Sequence, residues 1–156
     1  NRSQVFFNSG LMRLRLNKPG EALPFLLKAI EIKKYRPLYH QELGNAFRKM
    51  EQYDSALQSY RKVLELEPNH VEAQNNIGVI FWNLKALDRA EMEFKKALKM
   101  EDKITIHNNL ANLYIAQKRF SKAIPHLKTV IAKQPNDLRA RNLLHIVEVI
   151  QKIPTR

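Results

Sequence analysis

The stretch LGNAFRKMEQYDSALQSYRKVLELEPN, residues 43–69, places small residues and a proline inside a run that is otherwise rich in helix-forming residues. Small residues recur at the positions of Gly44 and Ala56 along the chain, at steps of 34, 34 and 33 residues. The first column contains Gly10, Gly44, Gly78 and Ala111, and the second contains Ala22, Ala56, Ala90 and Ala123. Self-similarity at a fixed period of this length indicates a repeat protein.

Each repeat predicts a pair of antiparallel helices. Apolar residues recur at helical spacing in two bursts that share one repeat, first Leu43, Ala46, Phe47 and Met50, then Ala56, Leu57, Tyr60, Val63 and Leu64. Pro68 predicts the end of the second helix, because proline disfavours a helical residue before it. Gly44 and Ala56 then let the two helices approach closely, while Tyr60 fills the space between hairpins.

The central unit resembles the tetratricopeptide repeat family, whose unit carries Leu-Gly, an aromatic, Ala, an aromatic, Ala and Pro at these intervals. The matching residues are Leu43, Gly44, Phe47, Tyr53, Ala56, Tyr60 and Pro68. The resemblance implies an all-α fold, a right-handed superhelical solenoid of antiparallel helical hairpins with four units and a C-terminal capping helix. We expect one domain over residues 1–156, with units at about 3–36, 37–70, 71–103 and 104–137 and a cap at about 138–152.

The composition limits the function classes. The chain has no cysteine, which excludes disulfides and thiolate metal sites. It has no glycine-rich phosphate loop, no nucleophile motif, and no histidine with a partner at the spacing of a compact metal motif. We therefore predict no enzyme activity, no catalytic residue, no cofactor and no metal site. No run approaches the roughly 18 apolar residues that would span a membrane, and we expect a soluble protein of the cytoplasm or the bacterial periplasm.

Basic charge concentrates at the two ends of the chain. The formal net charge is +12, and residues 1–36 carry 8 basic and 2 acidic groups, residues 37–103 carry 10 and 11, and residues 104–156 carry 9 and 2. This surplus leaves open an alternative function, in which the basic ends bind nucleic acid or an anionic surface. Aromatic residues do not interleave with the charges as a stacking platform requires. Because the chain begins at Asn1 rather than Met, we expect a fragment of a longer protein, and its exposed end units leave self-assembly as a further alternative.

The first helices of such hairpins line the concave side, and asparagine dominates their free positions. An amide offers both a donor and an acceptor, which suits the backbone of an extended peptide. Asparagine is also a poor helix former, and its recurrence there favours a ligand role over a merely solvated face. The predicted groove residues are Asn8, Gln41, Asn45, Arg48, Lys49, Asn75, Asn76, Trp82, Asn108, Asn109 and Asn112.

Three apolar residues complete the predicted groove. Trp82 has a large apolar face and a polar N–H, which suits an anchor for a partner, although packing between first helices is an equal alternative. We expect Leu14 and Ile115 to bury side chains of the partner.

One subtype of the family clamps a carboxylate-ended peptide with cations around two asparagines. Asn45 and Asn76 match those asparagines. Gln41, Thr105 and Asn109 stand where the subtype has its cations, which argues against such a clamp. The sequence as a whole predicts a protein–protein interaction scaffold that binds a peptide segment or partner protein in its concave groove.

Overall fold

Helices make up the fold throughout the part of the chain that the computed structural model describes, residues 1–152, and no strand occurs there. The last four residues of the predicted 1–156 domain lie outside that range. The described helices are α1 (Arg2–Arg15), α2 (Pro19–Ile32), α3 (Pro37–Lys49), α4 (Tyr53–Leu66), α5 (Val71–Asn83), α6 (Leu87–Met100), α7 (Ile104–Ala116), α8 (Phe120–Lys133) and α9 (Leu138–Lys152). The all-α prediction is confirmed.

Consecutive helices pair as hairpins. Helix α1 packs against α2, α3 against α4 and α7 against α8, and α9 packs against α8. The structure divides into two compact units, Asn1–Ile80 and Phe81–Arg156, whose boundary falls inside α5.

Every turn between the first and second helix of a hairpin contains one residue in the left-handed region. These residues are Asn17, Glu51, Lys85 and Lys118, with φ between 55° and 60°. The next residue closes each turn with a backbone hydrogen bond to a carbonyl five residues earlier, as in Lys18 N to Arg13 O at 2.9 Å. This is the bond that ends a helix in a Schellman motif. The four turns repeat with the period of the sequence although their residue types differ.

Small residues set the distance between the helices in the first unit. A Cβ atom built at Gly10 would lie 2.8 Å from Cδ2 of Leu26, and one built at Gly44 would lie 2.8 Å from Cε1 of Tyr60. Both distances are shorter than real carbon contacts, so the close approach expected at Gly44 is present. The core around Gly10 contains Phe7, Leu14, Ala22, Leu26, Ala29, Tyr39, Leu43 and Ala46.

Gly44→Ala tests this close approach. We expect the variant to lose about 1–2 kcal/mol of unfolding free energy, because the added methyl group meets the buried Tyr60 ring and outweighs the gain in helix propensity. The measurement is chemical denaturation followed by circular dichroism.

Gly20→Ala is the matched control, since its Cβ would meet only Cε of Met50 at 3.9 Å. This variant should change the unfolding free energy by no more than roughly 0.5 kcal/mol, in the stabilising direction, because Gly20 lies in the first turn of α2, where helix propensity counts less than in the interior. Equal effects of the two substitutions would contradict a steric role for Gly44.

Candidate functional site

The predicted groove residues lie on the first helix of each hairpin. Seven belong to the first unit, on α1, α3 and the start of α5, and four belong to the second unit, on the end of α5 and on α7. Asn8 and Lys49 are exposed, whereas the other nine are partly buried. None is fully buried, so every one of them retains some accessible surface.

Asn45 is the centre of a hydrogen-bond network in the first unit. Its Oδ1 accepts a hydrogen bond from the Tyr60 hydroxyl at 2.6 Å and one from Asn76 Nδ2 at 3.4 Å, and its Nδ2 donates to Glu42 Oε2 at 3.2 Å. Burial raises the pKa of Tyr60 against the opposing influence of Arg48, so the hydroxyl stays protonated. The structure thus brings Asn45 and Asn76 together and also ties Asn45 to the packing of α3 on α4.

Two polar atoms beside this network lack a hydrogen-bond partner. Gln41 Oε1 and Arg48 Nε are both buried, and neither is paired within the described residues. Gln41, Asn45 and Arg48 lie four and three residues apart on α3, so they share one helix face. A buried polar atom without a partner costs about 1–3 kcal/mol, and such atoms are uncommon in folded proteins. This helix face therefore carries unused hydrogen-bonding capacity.

Other predicted groove residues have local partners or a place in the core. Gln4 Nε2 donates to Asn8 Oδ1 at 2.9 Å, and Lys49 Nζ donates to the Leu14 carbonyl at 3.4 Å. The prediction that Leu14 buries a partner's side chain is wrong, because Leu14 is only 7% exposed and belongs to the hydrophobic core. In the second hairpin, Arg48 occupies the repeat position of Leu14. The environment of this position therefore changes from one hairpin to the next.

The second unit contains the remaining predicted groove residues. Trp82 is partly buried at the end of α5, and Ile115 is partly buried on α7. The three asparagines Asn108, Asn109 and Asn112 are also partly buried on α7. Both interpretations of Trp82, as an anchor and as a packing residue, are compatible with this burial.

A histidine cluster in the second unit escaped the sequence analysis. His107 Nε2 lies 2.7 Å from Asp102 Oδ1, and His107 Nδ1 lies 2.8 Å from His126 Nδ1. Lys133 Nζ contacts Asp102 Oδ2 at 2.7 Å, and the His126 ring stacks on Tyr114 with centroids 5.7 Å apart. The sequence analysis considered only partners at the spacing of a metal motif, whereas the hairpin turn brings residues 19 positions apart into contact.

The geometry of this cluster fixes its protons. An ionised Asp102 can only accept, so His107 Nε2 donates to it. At 2.8 Å, only one proton fits between Nδ1 of His107 and Nδ1 of His126, so the two rings cannot both be protonated at Nδ1. Burial, then the charges of His107 and Lys95, lower the pKa of His126 to about 4. No group of three or more metal-ligating side chains is present in residues 1–152.

Glu91 joins three neighbours in the same unit. Its carboxylate accepts hydrogen bonds from Lys95 Nζ at 2.7 Å, from the Tyr114 hydroxyl at 2.9 Å and from Arg119 Nη1. Burial alone would raise the pKa of Glu91, but these three donors outweigh it and lower the pKa to about 2. Glu91 and Lys95 therefore form part of a larger network that holds α6 to α7.

Several basic side chains on the second helices are paired with acids. The pairs are Lys28–Glu31, Lys62–Glu65, Lys95–Glu91 and Lys96–Glu93, at 2.6 to 2.9 Å. Local pairing reduces the positive field that an anionic ligand would meet.

Comparison with known proteins identifies the repeat. A TPR repeat model matches residues 44–85, and a tetratricopeptide repeat model matches residues 86–145. The chain belongs to the tetratricopeptide repeat (TPR) family. TPR proteins bind other proteins, and the match supports a protein-interaction scaffold without favouring nucleic-acid binding or self-assembly. The TPR fold is typically a non-catalytic scaffold.

Individual relatives are much longer than this chain. RNA polymerase-associated protein CTR9 of Saccharomyces cerevisiae is 28% identical over 95 residues, which are 61% of this chain and 9% of that protein. Anaphase-promoting complex subunit CDC16 of the same yeast is 29% identical over 143 residues, 86% of this chain and 17% of that protein. The chain thus spans less than a fifth of the length of either relative.

A solved structure supports the fold across the chain. MamA 41-end from Desulfovibrio magneticus RS-1 is 21% identical with a TM-score of 0.83, over 97% of this chain and 86% of that one. Helices of the described range are all too short or too polar to cross a membrane.

His126→Phe tests the histidine pair. Because the unfolded chain binds a proton near the ordinary histidine pKa of 6.5 and the folded chain near 4, His126 should lower stability progressively as pH falls from about 6.5 to 4. Below about 4 this contribution is constant. We expect His126→Phe, which keeps a ring against Tyr114, to flatten the decline in unfolding free energy across that window, measured by denaturation at several pH values.

His145→Gln is the control, because His145 is exposed. It should leave the pH profile unchanged. A decline of the same size in the native chain and in His126→Phe would exclude His126 as its source.

Proposed function

We propose that the chain acts as a non-catalytic scaffold that binds an extended segment of another protein along the first helices of its hairpins. The face of α3 formed by Gln41, Asn45 and Arg48 is its central contact in the first unit. We also propose that the repeats form one array with the four units and the cap expected from the sequence, and that the asparagines of α7 contribute a similar contact in the second unit.

The observation that carries this proposal is the pair of unsatisfied atoms on α3. Gln41 Oε1 is an acceptor and Arg48 Nε is a donor, and both are buried without a partner in the described part of the chain. An extended peptide presents N–H and C=O groups alternately, so one segment supplies a partner of each kind. Both side chains are only partly buried, so a rotation that exposes these atoms would let such a ligand pair them and recover free energy that the free chain lacks.

Asn76 adds a second amide at the edge of this network, next to Asn45 and Tyr60. Its bond to Asn45 Oδ1 is long at 3.4 Å, and hydrogen bonds weaken beyond about 3.2 Å. Asn45, by contrast, is held by Tyr60, so it fixes the geometry of the site. Contact through backbone groups makes the interaction tolerant of the ligand's side chains, and partly buried Trp82 can supply an apolar contact for them.

Gln41→Leu tests the proposal, because it separates binding from stability. Removing a buried acceptor without a partner should raise the unfolding free energy by about 1 kcal/mol. The same change should weaken binding of peptides selected from a random phage-displayed library by about three- to tenfold. Asn76→Ala should weaken binding by a similar factor. Isothermal titration calorimetry with a selected peptide gives the affinities.

The control is Gln58→Leu, which makes the same change at an exposed position on α4. It should leave affinity unchanged. Methylation of backbone nitrogens in the peptide should also weaken binding if the site reads the backbone. Selected peptides that bind the native chain, Gln41→Leu and Asn76→Ala equally well would overturn the proposal.

A further inference from the structure

The loop between α2 and α3 differs in charge from the other loops that join one hairpin to the next. Residues 33–36 are Lys-Lys-Tyr-Arg. The same repeat positions hold Glu-Pro-Asn-His at 67–70, Glu-Asp-Lys-Ile at 101–104 and Gln-Pro-Asn-Asp at 134–137. Each of those three loops contains at least one acidic residue, whereas the first has three cations and no acid. We call residues 33–36 the basic loop.

A cavity lies against the basic loop. Its volume is about 390 Å³, and its lining is Ile32, Lys33, Lys34, Tyr35 and Arg36. The equivalent loop of the last hairpin, residues 134–137, lines a cavity of about 430 Å³. A cavity of similar size thus occurs at the same repeat position in two hairpins, and the side chains of each loop set its chemistry.

The cations of the basic loop are available to a ligand. Lys34 and Arg36 are exposed, and Lys33 is partly buried. None of the three forms an ion pair within residues 1–152, whereas the lysines of α2 and α4 pair with glutamates three residues away. Three unpaired cations within four residues create a strong local positive field.

The backbone of the basic loop is held by the neighbouring helices. Lys33 N donates to the Ala29 carbonyl at 3.0 Å at the end of α2. His40 Nε2 on α3 lies 2.7 Å from the Lys34 carbonyl and donates to it, since a carbonyl can only accept. Lys34 Nζ lies over the Tyr35 ring, 4.8 Å from its centre. A ligand therefore meets a loop that is already ordered, which lowers the entropy cost of binding.

The surroundings of the loop favour a compact anion over a charged polymer. Glu31 lies two residues before the loop on α2. Glu65 on α4 pairs with Lys62, and the ammonium group of Lys62 interacts electrostatically with Tyr35. Both carboxylates would repel a nucleic acid strand that crossed the loop. A phosphate monoester, by contrast, carries nearly two negative charges on a single group.

We propose that the basic loop binds a phosphorylated side chain of another protein. Arg36 can donate two parallel N–H bonds to phosphate oxygens, and Lys33 and Lys34 neutralise the remaining charge. Ile32 and Tyr35 supply apolar contacts for the adjoining residues of the partner. A membrane is a poorer match, because interfacial binding uses a long apolar helix face. The site includes no residue of the predicted groove.

The first test uses a fluorescent nine-residue peptide with a central phosphoserine between alanine and glycine residues, and the same peptide without the phosphate. Fluorescence anisotropy gives the affinities. We expect a dissociation constant on the order of 10–100 µM for the phosphorylated peptide at low salt and binding at least about tenfold weaker without the phosphate. Lys34→Gln/Arg36→Gln should weaken binding by about tenfold or more and reduce its dependence on salt.

Matched controls separate this site from general attraction to a basic protein. Lys118→Gln/Lys128→Gln removes the same charge from two exposed positions of the second unit, and it should leave affinity within about twofold of the native value. Gln41→Leu should also leave affinity unchanged, so the fate of the α3 proposal does not decide this one. Circular dichroism confirms that each variant keeps its helices.

Three outcomes would overturn the inference. The first is no preference for the phosphorylated peptide at concentrations up to millimolar. The second is equal binding of that peptide by the native chain and by Lys34→Gln/Arg36→Gln. The third is tighter binding of a single-stranded oligonucleotide or of phosphatidylserine vesicles than of the peptide, lost in the same double variant. This result would assign the basic loop to nucleic acid or to a lipid surface.

Discussion

The close contact between Gly44 and the Tyr60 ring is the constraint on which the second hairpin depends. The Tyr60 ring is fully buried, and its hydroxyl donates to Asn45 one residue beyond Gly44. Helix spacing and the orientation of a polar side chain are therefore fixed by the same residue. Because the ring can move only if the hydroxyl gives up its bond, steric and polar interactions reinforce each other at this point. The partly buried polar face of α3 is built on this arrangement.

The two units use polar groups in different ways. In the first unit, the amide network around Asn45 leaves Gln41 Oε1 and Arg48 Nε unpaired, which suits recognition of a ligand. In the second unit, Glu91 and His107 are paired with several partners between helices, which suits the joining of helices. Repeats of one family thus share the apolar residues that pack their helices but differ in their polar residues. The packing pattern alone does not show where binding occurs.

The repeat period made the all-α fold and its hairpins predictable, because the small and large apolar columns record which helix faces touch. The same columns could not show that Leu14 belongs to the core, since this position is polar in the next hairpin. They also concealed the contact between His107 and His126, which depends on two side chains meeting across one hairpin and on Asp102 orienting the first ring. Such contacts depend on residues that differ from one repeat to the next, so the repeat period does not reveal them.

The left-handed turn residues Asn17, Glu51, Lys85 and Lys118 are all exposed. Their backbone geometry is set by the closing bond of each turn and their side chains point away from the packed helices, so chemistry can be attached there without disturbing the hairpins. Lys85 and Lys118 already carry amines, and because the chain has no cysteine, a thiol-reactive dye attaches only at the cysteines that are introduced. A donor and an acceptor dye at Glu51→Cys and Lys118→Cys would therefore report, by energy transfer, the distance between the two units in solution.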